Sequence, residues 1–124
     1  MTEIPIIKVG RTLIATVHEG LTDAEALSFQ ESLNAKLERL DASSVLIDLT
    51  MVETIDSFLG RLLSETALGA RLLGAETVIA GIQPSVAMTL VELGLRLDGV
   101  RTVLTPERAL TMLGHRVDSA ESGG

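Results

Sequence analysis

Two short and almost wholly apolar runs, "SVLIDL" and "TVIAGI", most constrain what this chain can fold into. Each run has the length of one strand and is too apolar to have a solvated face. Both are therefore predicted to be central strands covered on both sides of a sheet. Helical patterns follow each run, and strands alternating with helices predict an α/β fold with a mostly parallel sheet and right-handed crossovers.

The two ends of the sheet are predicted from other segments. The stretch "IPIIKVGRTLIATV" contains two β runs joined at Gly10 and Arg11, and glycine in the first position suits a two-residue type II′ turn. The chain is therefore expected to open with an antiparallel hairpin. The run "RTVLT" predicts a last strand.

Two longer helices are predicted from apolar residues at helical spacing. The first begins at a capping box formed by Thr22 and Glu25. Its predicted buried positions are Ala26, Phe29, Leu33, Leu37 and Leu40. The second helix follows "SVLIDL" after a short connection, and its predicted buried positions are Leu59, Leu62, Leu63, Ala70 and Leu73.

Two further helices are indicated by residues that start and stop helices, which makes about four in all. Pro84 suits the first turn of a short helix, and Gly94 is a suitable terminator for it. Thr105 and Pro106 have the character of the cap and first residue of a final helix. That helix is predicted to end near Gly114.

Length and composition favour one domain with a sizeable core, since the chain has 124 residues and is 46% hydrophobic. The domain is predicted to cover residues 1–117, and the polar segment "DSAESGG", residues 118–124, is predicted to be a disordered tail. The absence of cysteine excludes disulfides, thiolate metal sites and cysteine nucleophiles.

Charge and hydropathy exclude further classes. A formal charge of −7 and the lack of Trp and Tyr argue against nucleic-acid binding, which needs a basic surface and usually stacking aromatics. No segment approaches the roughly 20 apolar residues of a membrane span, and no secretion signal begins the chain. A soluble, cytoplasmic protein is the expectation.

The residues that catalyse reactions are scarce. His18 near the end of the second strand and His115 just past the predicted last helix are interpreted as structural or surface residues. Asp48, Glu53 and Asp56 gather at one strand-to-helix junction, where helix-dipole and solvation roles are preferred over a site for a hard cation. No cofactor is predicted and enzymatic activity is not expected.

The stretch "TIDSFLGRLL" places Asp56 and Ser57 side by side at that junction. Either residue can cap the following helix, which needs only one of them. As a nucleophile, Ser57 lacks a nearby histidine or lysine to activate it. The alternative is a hydroxyl offered to the chemistry of another protein, which composition cannot establish.

The sequence resembles a known family at this point. The segment "SVLIDLTMVETIDSFLGRLL" is similar to the central motif of STAS domains, the bacterial anti-sigma factor antagonist fold, in which an aspartate precedes a phosphorylatable serine or threonine. The segment "GIQPSVAMTLVELGL" resembles the stressosome branch, and "IPIIKVGRTLIATV" with "FQESL" resembles RsbS-type scaffold proteins. The resemblance covers residues 4–113.

The resemblance implies a scaffold without enzymatic activity that binds a serine kinase of the histidine-kinase-like ATPase class. That kinase phosphorylates the position of Ser57, which releases the kinase to start a general stress response, and a metal-dependent phosphatase of the PPM type resets the site. Assembly with sensor-bearing STAS paralogues is also implied. Because the chain begins directly at the hairpin, it is expected to be the sensorless core subunit.

Other residues take their expected roles from the same resemblance and from helical spacing. Thr89 matches a second phosphoacceptor of the co-antagonists, although an ordinary helix threonine that faces solvent or bonds its own backbone is the preferred interpretation. Arg61 lies one helical turn from Ser57, and Asp56, Arg61 and Phe58 are candidate partner-binding residues. For Phe58, exposure as an interface anchor and burial in the core are weighted equally.

Two alternatives to the scaffold remain. One is a direct anti-sigma-factor antagonist in a simple partner-switching cascade, although this chain departs from the DSSGLG-like motif of such antagonists in having Phe58 and Leu59 after the serine. The other is a small enzyme or nucleotide-binding domain that uses the junction carboxylates. Alone, the chain is expected to self-associate weakly, as a dimer, and to enter a large complex only with paralogues.

Overall fold

The computed structural model describes residues 4–95, 97 and 99–122, with the side chains of residues 4–95, 97 and 99–114. Over these residues the chain forms five strands and four helices, which alternate after an opening hairpin of two strands. The strands are β1 (Ile6–Val9), β2 (Thr12–His18), β3 (Ser44–Met51), β4 (Glu76–Ala80) and β5 (Arg101–Val103). The helices are α1 (Asp23–Leu40), α2 (Ser57–Leu72), α3 (Pro84–Glu92) and α4 (Pro106–Ser122).

The sheet has the order β1-β2-β3-β4-β5, in which β1 is antiparallel to β2 and every other pair is parallel. The predicted mixed, mostly parallel sheet with an antiparallel hairpin is confirmed. In the hairpin Val9 lies opposite Thr12, so the loop has two residues. Gly10 has a φ of 59° and Arg11 has no positive φ, which is the pattern of a type II′ turn.

Both faces of the central strands are buried, as the apolar runs predicted. On one face, Val45 and Ile47 of β3 belong to a large core cluster with buried residues of α1, α2 and α3. On the other face, Leu46 of β3 and Val78 of β4 pack in a smaller cluster with Ala109 of α4. The alternation of side chains along a strand therefore divides one apolar run between two helical layers.

The predicted helix caps are confirmed. The amide of Glu25 donates to Thr22 Oγ1 at 3.1 Å, and the amide of Thr22 donates to Glu25 Oε1 at 3.0 Å, which completes the capping box. At α4 the amide of Arg108 donates to Thr105 Oγ1 at 3.2 Å. Gly94 has a φ of 65° two residues after α3, in the left-handed conformation typical of a glycine that ends a helix.

Two predicted features at helix ends are wrong. Leu73 is 46% exposed because α2 ends at Leu72 and Leu73 is the C-cap residue, which no longer follows the helical period. The last helix continues through Gly114 to Ser122, because Gly114 has no positive φ and no proline follows to stop the helix. His115 therefore lies within α4 rather than past it, and its side chain lies outside the described part of the chain.

The domain limit predicted at residue 117 stays a prediction. Over the residues that the structure describes, no helix is both long and apolar enough to cross a membrane.

Candidate functional site

The candidate site is the connection between β3 and α2 at the carboxyl edge of the parallel sheet. Ligand and partner sites of open α/β sheets are commonly built at this edge. Val52 and Ile55 in the connection are buried in the core, at 1% and 8% exposure. These two apolar residues hold the connection close to the sheet while the polar residues between and after them face solvent.

Asp56, rather than Ser57, is the N-cap of α2. Its backbone is extended, with φ −101° and ψ 176°, and its Oδ1 accepts a hydrogen bond from the amide of Leu59 at 2.8 Å. Ser57 is consequently the first helical residue. It is exposed, and among the described residues no hydrogen bond engages its hydroxyl. Ser57 is thus not the cap of α2, and its hydroxyl is accessible to another molecule.

The exposed face of α2 that begins at Ser57 extends toward the middle of the helix. A shallow depression of about 270 to 290 Å³ lies on each side of Phe58. The depression on the Ser57 side is lined by Leu27, Ser57, Phe58, Arg61, Leu62 and Glu65. Phe58 is half-buried and packs against the core, so it is neither a fully exposed interface anchor nor a fully buried core residue. Arg61 is exposed.

The junction carboxylates have local structural roles. Asp48 Oδ1 accepts hydrogen bonds from the amide and the hydroxyl of Thr50, at 2.9 and 2.6 Å, and Asp56 caps α2. Within the described part of the chain, no three His, Asp or Glu side chains lie close enough together to hold a metal ion. These positions favour the predicted loop and dipole roles over a cation site.

Thr89 lies on α3 and is half-buried. Its Oγ1 donates a hydrogen bond to the carbonyl of Ser85, one turn earlier in the same helix, at 3.0 Å. Of the two ordinary arrangements considered above, this is the backbone-bonded one. The Thr89 hydroxyl is therefore engaged in a hydrogen bond, whereas the Ser57 hydroxyl is accessible.

His18 is the last residue of β2, and its Nδ1 lies 3.0 Å from the carbonyl of Glu19. Its Nε2 is buried and has no hydrogen-bond partner among the described residues. The ring lines the other depression beside Phe58, together with Asp56, but Ser57 does not line it. The geometry therefore gives His18 no direct contact with the candidate hydroxyl.

Three polar residues that the sequence reasoning missed support the connection. The carboxylate of Glu19 accepts hydrogen bonds from Glu53 and Thr54, Ser85 Oγ donates to the carbonyl of Glu53, and Gln83 Nε2 donates to the carbonyl of Thr50. The parallel register, which only the structure reveals, explains the position of Glu19. It pairs His18 with Met51, so the residues that follow the two strands must lie side by side.

The comparisons with known proteins agree with this geometry. The STAS domain family matches residues 3–109, so the chain belongs to the STAS domain family. Within that family it is of the RsbS type. A serine-to-glutamate variant of RsbS from Moorella thermoacetica superposes with a TM-score of 0.83 at 32% identity, covering 94% of this chain and 99% of that one.

Two further matches belong to the same branch. A chain from a structure of the stressosome, described as a signal integration and transduction hub, superposes with a TM-score of 0.76 at 32% identity, over 90% of this chain and 96% of that one. The RsbT co-antagonist protein RsbRA of Bacillus subtilis is 31% identical over 107 residues, which are 86% of this chain. The chain spans 39% of the length of that relative.

Proposed function

We propose that this protein is a phosphorylation-gated scaffold of a bacterial stress-response complex, which holds a serine kinase until Ser57 is phosphorylated. The observation that carries the proposal is the state of Ser57 at the start of α2. Asp56 supplies the cap, so the Ser57 hydroxyl is exposed and has no hydrogen bond within the described part of the chain to lose on modification. The protein contributes an acceptor and a binding surface, and the partner kinase contributes the catalysis.

The helix position suits a phosphate physically. The first turn of a helix leaves amides exposed and carries partial positive charge, which favours an anion there. Arg61 is exposed one turn along α2, where a guanidinium can pair with a phosphate on Ser57. The modified protein should therefore keep its fold.

The same phosphate is unfavourable to a partner that covers the site. It adds roughly −1.5 to −2 charges. Asp56, directly before Ser57, and Glu53, four positions before it, are already exposed. Changing a kinase from mostly bound to mostly free requires a shift of several kcal/mol in the binding free energy, and a complete reversal of the equilibrium requires about 5.5 kcal/mol. Arg61 can neutralise at most one of these charges, so a phosphate covered by the kinase still buries net negative charge, and its desolvation costs several kcal/mol.

The partners follow from the relatives. Similarity to the RsbT co-antagonist protein RsbRA and to the stressosome chain supports assembly with STAS paralogues that carry additional segments. The proposed kinase is of the histidine-kinase-like ATPase class, the proposed phosphatase is a metal-dependent one of the PPM type, and the proposed location is the cytoplasm. On its own the chain is proposed to form a weak homodimer.

The test is kinase affinity measured by calorimetry on five proteins: the wild type, the phosphorylated wild type, Ser57→Ala, Ser57→Asp and one control variant. Ser57→Ala should bind the kinase as the wild type does and resist release by ATP. Ser57→Asp should weaken binding only partly, since aspartate has less charge than phosphate and a different shape. Ser28→Ala, at an exposed serine of α1, is the matched control and should behave as the wild type.

The phosphorylated protein gives the decisive measurement. Its affinity should fall by several orders of magnitude, and mass mapping should place the phosphate on Ser57. Equal affinity of the phosphorylated and unmodified proteins would show that Ser57 is only the first residue of a helix. Tight binding of an anti-sigma factor in the absence of the kinase would instead favour the direct antagonist.

A further inference from the structure

Glu19, the first residue after β2, is hydrogen-bonded to the β3–α2 connection that leads to Ser57. Its carboxylate accepts three hydrogen bonds: from the amide of Glu53 at 3.3 Å, from the amide of Thr54 at 3.1 Å and from the hydroxyl of Thr54 at 2.7 Å. The residues involved are 34 and 35 positions apart in the chain. An ionised carboxylate makes such hydrogen bonds roughly twice as strong as neutral ones.

These three hydrogen bonds of Glu19 are a consequence of the sheet register. The last pair of β2 and β3 joins His18 to Met51. Beyond this pair the described ladder ends, so the amides of Glu53 and Thr54, which are exposed, have no strand partner and can bond to water or to a side-chain acceptor. Glu19 continues the path of β2 past the pair, and its side chain is long enough to reach across to the amides of Glu53 and Thr54.

A second support holds the same peptide segment from the opposite side. Ser85 Oγ donates to the carbonyl of Glu53 at 2.7 Å, and Gln83 Nε2 donates to the carbonyl of Thr50 at 2.8 Å. Glu53 is therefore fixed through its amide by the β2–α1 connection and through its carbonyl by the N-terminal turn of α3. With Ile55 buried just after it, the segment has little freedom before the cap at Asp56.

We propose that Glu19 is a positioning residue for the phosphorylation of Ser57, holding the β3–α2 connection so that the acceptor hydroxyl is presented in one orientation. This proposal rests on the proposed function, since it concerns the same acceptor. A kinase must align the hydroxyl with the γ-phosphate of ATP, and a misplacement of about 1 Å can cost about a hundredfold in rate. Loss of the three hydrogen bonds of Glu19 should affect the phosphoryl-transfer step more than kinase binding, because the exposed face of α2 is unchanged.

The experiment compares Glu19→Ala with the wild type in two measurements. The first is amide hydrogen exchange at Glu53 and Thr54, which needs no kinase and should become at least tenfold faster in the variant. The second is phosphorylation kinetics with the purified kinase and Mg²⁺-ATP. We expect kcat to fall about tenfold while KM for this protein stays within twofold.

Three further variants make the result specific. Glu38→Ala removes the same charge from an exposed position of α1 and should leave both measurements unchanged. Glu19→Gln keeps an acceptor oxygen and should retain part of the rate. Thr54→Val removes only the hydroxyl donor and should give a smaller loss than Glu19→Ala, which also tests the idea should Glu19→Ala fold poorly.

The outcomes separate this proposal from the proposed function. Faster exchange with wild-type kinetics would reduce Glu19 to a structural residue and overturn the positioning role. Unchanged amide exchange at Glu53 and Thr54 would show that the hydrogen bonds of Glu19 do not hold the connection. Absence of phosphate from Ser57 in the wild type would overturn the proposed function and, with it, the role assigned to Glu19.

Discussion

Gly81, between β4 and α3, is expected to be the most sensitive glycine near the candidate site. Its φ is 73°, and a Cβ built on it would overlap Thr50 Oγ1 and lie 3.1 Å from the α-carbon of Thr50. The left-handed backbone costs a residue with a side chain about 1–2 kcal/mol. Forcing a methyl group against the backbone of Thr50 adds about 1–3 kcal/mol. Gly81→Ala should therefore lower the free energy of unfolding by about 2–5 kcal/mol.

Gly94→Ala is the matched control. Gly94 has a similar φ of 65°, but a Cβ there meets nothing within 4 Å, so only the backbone cost of about 1–2 kcal/mol applies. For a chain of this length, 1 kcal/mol corresponds to roughly 4 °C in Tm. Gly94→Ala should thus lose about 4–8 °C and Gly81→Ala about 8–20 °C.

The assay is thermal and urea unfolding followed by far-UV circular dichroism, because the chain has no Trp or Tyr for intrinsic fluorescence. Adding Thr50→Ala to Gly81→Ala removes the overlapping Oγ1 and should recover part of the loss, but not all, since the new methyl group would still press on the backbone of residue 50. If Gly81→Ala and Gly94→Ala melted within 2 °C of each other, the steric argument would be refuted.

Three other outcomes are expected. Asp56→Ala should lower the free energy of unfolding by about 1 kcal/mol through loss of the cap on the Leu59 amide, and Ser57→Ala should leave it nearly unchanged; the reverse order in urea melts would reassign the cap. Arg61→Ala should reduce the stabilisation of the phosphorylated form by about 1 kcal/mol or less, and identical melting shifts on phosphorylation would remove Arg61 from the mechanism. Light scattering of the pure chain should show a weak dimer, and a giant, stable particle would contradict that expectation.

The sequence alone determined the strands, the starts of α1, α3 and α4, and the position of the candidate hydroxyl. These features depend on local causes: apolar runs form strands covered on both faces, a threonine followed three residues later by glutamate caps α1, and a glycine followed by one ordinary residue makes the β1–β2 turn. The location of Ser57 at a strand-to-helix junction followed from the same local pattern. Local patterns were less reliable at helix ends, where Leu73 and Gly114 were misjudged.

Only the tertiary structure decided what surrounds that hydroxyl. Asp56 and Ser57 are equally suitable caps by residue type, and the path of the connection gives the cap to Asp56 and leaves Ser57 accessible. Glu19 and Ser85 reach Glu53 across 34 and 32 positions of the chain, and Gly81 is required because β4 brings it against Thr50. Such contacts depend on strand register and on the course of three separate loops, and no periodicity within one segment encodes them.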